Sequence, residues 1–247
     1  MSLLAGHLTI LDVALTVWLC LIFPALQLYS SLRKPTGRKR TPRARVLINV
    51  VLLGGPLAVL AAAWWINGRP LSALGLAIPV PFEGQIGLGL AVIAIVGFAA
   101  ASFWFRAPAG SAKAERDRQR LADSGMLSKT PAEFSAFVLK AFAIGCGLEI
   151  LFRGYLLWVL VPLIGLSGAV VVAALAYGLG HGVKNRNQAI GSVVSAFVFT
   201  IAYALTQSLW WLMLFHTFVA LHGGWAGYRL ARQTSGKKAQ SGMASSG

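Results

Sequence analysis

At 247 residues the chain has room for one or two soluble domains. However, 57% of it is hydrophobic and only 12% charged, and the apolar residues gather in runs of about 20, enough to cross a hydrocarbon core about 30 Å thick. That composition excludes a water-soluble globule and predicts an all-α, polytopic membrane helix bundle. The net charge of +15 does not indicate a nucleic-acid partner, because the basic residues are confined to short segments between apolar runs, as in cytoplasmic loops.

The first apolar run, Leu8 to Leu32, has no Lys or Arg ahead of it and exceeds the short core of a signal peptide, so it reads as a retained span. Asp12, near its outer end, is expected to be a solvated carboxylate. Arg33 to Arg45 follows with seven basic residues and no acid, a segment suited to an anionic cytoplasmic surface, which makes membrane lipid an expected partner. A second span, Val46 to Ile66, ends in Trp64-Trp65 at the place of an interfacial aromatic belt. Asn67 to Gln85, with Pro70, Pro79 and Pro81, is a loop or short interfacial helix, and Ile86 to Phe105 is the third span. The mixed charges of Arg106 to Lys129 suit a solvated cytoplasmic helix.

Thr130-Pro131-Ala132-Glu133 carries the cap, first-turn proline and N3 acid of a helix start. That helix stays apolar to Ile164. Spans five to seven follow as Leu166 to about His181, Ala189 to Leu205 and Leu209 to Leu230, and the Gly/Ser-rich tail is expected to be disordered. With the N-terminus outside, the cytoplasmic segments hold 19 of the 22 basic residues and the outer loops only Arg69, so seven spans with a cytoplasmic C-terminus fit the positive-inside bias. The chain thus divides into residues 1–129 with three spans and basic loops, a four-helix region at 130–231, and a tail at 232–247. Cys20 and Cys146 sit inside apolar runs and define neither a disulfide framework nor a ligand cluster.

Against this apolar background the polar residues stand out. Glu149 and Arg153 lie four residues apart on one helix face, acid first, the better orientation for an ion pair. A charge at mid-bilayer costs about 2.5–3.5 kcal/mol and calls for a partner or a task. If Lys140 snorkels to the cytoplasmic interface, Glu149 lies about 14 Å deep. By the same helix rise, His181 lies about 8 Å from the cytoplasmic side and His216 about 12 Å from the outer face. These depths are compatible with one polar intramembrane cavity. A carboxylate or imidazole that takes a proton from water, with a second imidazole on the oxyanion, is equipment for hydrolysis with or without a metal ion. His222, six residues after His216, points about 120° away and stays outside this set. Gly223 and Gly227 form a small-xxx-small pair for close helix packing.

Three segments, Glu149-Ile150-Leu151-Phe152-Arg153-Gly154, Tyr177-Gly178-Leu179-Gly180-His181 and Ser208-Leu209-Trp210 to His216, resemble in order and spacing the motifs of the CPBP family, which contains the type II CAAX prenyl endopeptidases and the bacteriocin-immunity (Abi) proteins. The resemblance covers about Thr130 to Tyr228. It implies an intramembrane endopeptidase acting on hydrophobic or lipidated peptide, in a bacterial inner membrane. In that reading Glu149 and His181 polarise water, His216 holds the oxyanion and Arg153 fixes Glu149. It also implies a divalent metal such as zinc, for which His181 and His216 are the candidate ligands, although the paired local spacing of a zinc motif is absent. The family pattern has two adjacent glutamates and an asparagine four residues after the last histidine; here Leu148 and Ala220 stand at those places. A member that has lost its chemistry and acts as a binding, immunity or assembly factor is therefore the alternative. A transporter is disfavoured, since no pair of Gly/Pro-interrupted helices recurs in corresponding halves.

Overall fold

The structure, a computed structural model, describes residues 8–32, 50–104, 108, 110–123, 128, 130–183 and 185–244; the basic segment Arg33 to Arg45 lies outside the described residues. Helices are the only regular elements among these residues. Helix α1 (Ile10–Leu32) opens on a capping box in which the Thr9 side chain accepts from the Asp12 N–H and the Asp12 carboxylate accepts from the Thr9 N–H. It carries a wide π turn at Trp18–Ile22, and a second π turn, Val50–Gly54, leads into α2 (Gly55–Ile66). Both have a local cause. Pro24 and Pro56 lack the N–H that would close an ordinary helical bond four residues back, so the helix widens just before each ring.

After a short 3-10 turn at Leu71–Leu74, α3 (Phe82–Trp104) begins earlier than the expected Ile86. The charged α4 (Ala112–Asp123) is the anticipated solvated helix. Helix α5 (Pro131–Glu149) starts as its sequence indicates, with the Glu133 N–H donating to Thr130 Oγ1 at 3.2 Å. It continues through a third π turn, Ile150–Tyr155, into α6 (Leu156–Gly180). The expected boundary between spans four and five falls at Gly165, whose φ of 73° and ψ of 168° interrupt the helix in a region open essentially to glycine alone. Helix α7 (Arg186–Thr206) is capped by Asn185. Helix α8 (Trp210–Ala244) runs past the expected end, so the tail is helical as far as Ala244 rather than disordered; between Arg232 and Ala244 it has no proline to stop it.

Among the described residues four helical runs, α1, α3, Pro131–Gly180 and α7, are long and apolar enough to cross a membrane; the third of them is the one broken at Gly165. Helix α2 is shorter, and α8 carries Trp210, Trp211, Trp225, His216 and His222 among its apolar residues. Large apolar side chains such as Leu90, Ile93, Phe103 and Trp65 face outward, while Asp12, Glu149 and Arg153 are 1%, 2% and 1% exposed. That distribution is the reverse of a soluble protein's, and the chain is an integral membrane protein.

The helices form two compact units. The first combines Met1–Leu88 with Gly147–Leu212, the second Gly89–Cys146 with Met213–Gly247. In the first, Ala169, Ala173, Ala174 and Ala196 are fully buried, and Gly178 lies so close to the α7 backbone that a Cβ would come within 2.9 Å of Val193 Cα. Small residues of this kind let helices approach where no hydrophobic force drives them together. In the second unit, Phe134 stacks on Tyr228 at 4.9 Å, and Gly224 gives room to the Phe137 ring.

Candidate functional site

Glu149 ends α5 and Arg153 lies inside the π turn that follows. Arg153 Nη1 donates to Glu149 Oε1 at 3.2 Å, so the i,i+4 pair expected from spacing is formed, with both side chains almost wholly removed from solvent. The guanidinium lies over the ring of Tyr177 of α6, its carbon 3.6 Å from the ring centre. Tyr177 also meets His181 edge to face, ring centres 4.6 Å apart. Phe152 completes the cluster, 5.4 Å from Tyr177 and 5.9 Å from Phe23 of α1. The first two motifs are thus brought together through one tyrosine ring.

His181 caps the C-terminal end of α6 and is exposed. Its Nδ1 lies 3.0 Å from the Tyr177 carbonyl oxygen. A carbonyl only accepts, so Nδ1 carries a proton; in the neutral ring Nε2 then holds the lone pair, the state required of a general base or a metal ligand. The helix end is fixed from α1: Gly180 backs onto the Phe23 ring, and the Val183 N–H donates to Ser31 Oγ at 3.1 Å.

His216 is a half-buried residue of α8 in the second unit. His222, expected to stand apart, packs against Phe98 and Phe218 at 5.0 and 5.7 Å. Among the described residues no three His, Cys, Asp or Glu side chains gather as metal ligands. Three such ligands are what the zinc centre of a hydrolase needs.

Sequence reasoning missed a second buried polar cluster in the first unit. Asp12, expected to be solvated, is 1% exposed and accepts from Arg69 Nη1 at 2.8 Å and Nη2 at 2.7 Å. The hydrogen bonds that Arg69 donates to the Asp12 carboxylate raise the Arg69 pKa above its ordinary value. The Arg69 guanidinium also lies 4.5 Å from the Trp158 ring centre and 5.3 Å from that of Trp64. Trp64 is consequently buried against Trp158, with only Trp65 left in the exposed position expected of both. The signal was present in the sequence: Asp12 and Arg69 are an acid and the single outer-loop base at the same end of the bundle.

Residues 130–222 match the family model described as type II CAAX prenyl endopeptidase Rce1-like, which spans all three motifs. No curated protein and no solved structure matches the chain.

Proposed function

We propose that this chain, whose residues 130–222 form an Rce1-like domain, is an intramembrane endopeptidase that hydrolyses a peptide bond of a hydrophobic or lipidated substrate in or near a bacterial inner membrane, with its C-terminus in the cytoplasm. The observation that carries the reading is the buried Glu149–Arg153 pair laid against Tyr177, with His181 against the same ring. An ion pair is costly in a lipid-facing bundle, and it stands here against the same tyrosine ring that the His181 imidazole contacts. In this reading His181 and Glu149 share the proton that a water gives up on attacking the peptide carbonyl, and the proton passes to the leaving amine as the C–N bond breaks. Arg153 holds Glu149 in place. Its buried Nε and Nη2 have no acceptor among the described residues, so water or a substrate oxygen would satisfy them. His216 enters through the third motif alone, as the group that holds the oxyanion.

Leu148 and Ala220 favour a second reading. Leucine takes no proton and alanine donates no hydrogen bond, and loss of one oxyanion donor costs about 10²- to 10³-fold in rate. A protein that keeps the cavity and binds hydrophobic segments without cutting them would serve as an immunity or assembly factor. Cleavage of a quenched peptide library by the detergent-purified protein separates the two. Cutting that disappears in His181→Ala supports the enzyme; a silent wild type beside an active Leu148→Glu supports the binding protein.

A further inference from the structure

The three π turns do not have the same origin. Those at Trp18–Ile22 and Val50–Gly54 are each followed by a proline that removes a helical donor, whereas Ile150–Tyr155 has no proline within or just after it. Isolated π turns are rare and recur at functional sites, and one without a local cause has to be imposed by its surroundings. Those surroundings are on the outer side of the first unit. Tyr155, the last residue of the turn and 0% exposed, donates its hydroxyl proton to the Asp12 carbonyl oxygen at 2.7 Å and lies 3.1 Å from Thr16 Oγ1. Asp12 is itself fixed by the two-pronged bond from Arg69 and by Thr9. Arg69 covers Trp158, one turn beyond Tyr155. Gly154 rests on the 3-10 turn just after Arg69, where a Cβ would come within 2.7 Å of the Leu74 carbonyl oxygen.

We infer that Asp12, Arg69 and Tyr155 form a positioning latch that keeps Ile150–Tyr155 in its wide form and so sets the face on which Glu149 and Arg153 are presented. The functional part of the inference rests on the reading of Glu149 and Arg153 as the working pair; the structural part does not. Without the latch the turn closes to ordinary helical bonds. One residue of register is about 100° of helix rotation, enough to turn the Glu149 carboxylate away from its present setting relative to Tyr177.

The test uses the full-length protein in detergent and the variant Tyr155→Phe, which removes one oxygen and leaves the ring. Three quantities are measured: amide hydrogen exchange across 148–157 and across α7, the infrared carboxylate band of Glu149 (assigned by difference against Glu149→Gln), and peptide cleavage. The expected result is exchange in 150–155 faster by about fivefold, the effect of one lost buried hydrogen bond, with α7 unchanged and the Glu149 band shifted. Where the wild type cleaves peptide, kcat falls while KM holds. Asp12→Asn is expected to have the same local signature; should it fail to fold, Tyr155→Phe alone decides. Wild-type exchange and an unmoved band in Tyr155→Phe would overturn the latch, and so would equal loss of protection throughout the first unit, which marks a packing residue. A wild type that cuts nothing, while the exchange and the band respond, supports the latch and removes the endopeptidase reading alone.

Discussion

The guanidinium carbon of Arg153 lies over the ring of Tyr177, 24 residues away in the chain, 3.6 Å from its centre. A cation over an aromatic face contributes about 2 kcal/mol or more when both are out of water, and here both are buried. The contact joins the first two motifs, so its removal should be felt in stability and in any chemistry together.

Tyr177→Leu is expected to destabilise the protein by about 2 kcal/mol or more, through the lost cation–π contact and the lost ring packing. Tyr177→Phe keeps the ring face and should cost clearly less. Arg153→Lys keeps a charge but not the flat guanidinium, and it should resemble Tyr177→Leu rather than Tyr177→Phe. Reversible unfolding in mixed micelles ranks the three; a Phe variant as unstable as the Leu variant would show that the hydroxyl, not the ring face, matters.

Gly165 offers a backbone test without steric complication. Its φ of 73° and ψ of 168° suit glycine, and a Cβ added there would meet no atom within 4 Å. Gly165→Ala should therefore lose about 1–3 kcal/mol from conformational strain alone. An unchanged stability in the same assay would mean that α6 does not need this break.

The Glu149–Arg153 pair and the Tyr177–His181 contact could be read from sequence because both are spaced four residues apart, and helix geometry alone places such residues together. The break at Gly165 was legible for a related reason: a single residue separates two apolar runs and happens to be the one type that tolerates the conformation. The Asp12–Arg69 pair left a weaker signal, an acid and a base at one end of the bundle, because it spans 57 residues and its contact depends on how the loop after α2 folds back on α1. The wide turn at Ile150–Tyr155 left no local mark, since no proline signals it. The burial of Trp64 followed from the same tertiary contact, which draws one tryptophan of the pair inward and leaves Trp65 outside.

Arg69→Met should cost about 3–5 kcal/mol, because it leaves the Asp12 carboxylate buried without its cation. The double variant Asp12→Asn/Arg69→Met removes both charges, so its loss should be smaller than the sum of the two single losses. A thermodynamic cycle of the four proteins measures that difference. Strict additivity would mean that the two groups do not interact and would contradict the 2.7 and 2.8 Å bonds between them.

Leu148 and Ala220 make the sharpest prediction about chemistry. Leu148 is half-buried, one residue before Glu149, so a glutamate there would add a second carboxylate about 100° around the helix from the first. If Glu149 is held too firmly by Arg153 to act as a base, Leu148→Glu should raise peptide cleavage by about 10²-fold or more, the range that a positioned general base contributes. Adding Ala220→Asn should raise it further by supplying an oxyanion donor. His181→Ala in the same background should abolish the gain, which ties the new activity to this site rather than to a contaminant. If the wild type already cleaves and Leu148→Glu leaves the rate unchanged, Glu149 is the base despite its ion pair. A carboxylate paired with arginine would then serve in the place that the family pattern gives to the missing glutamate.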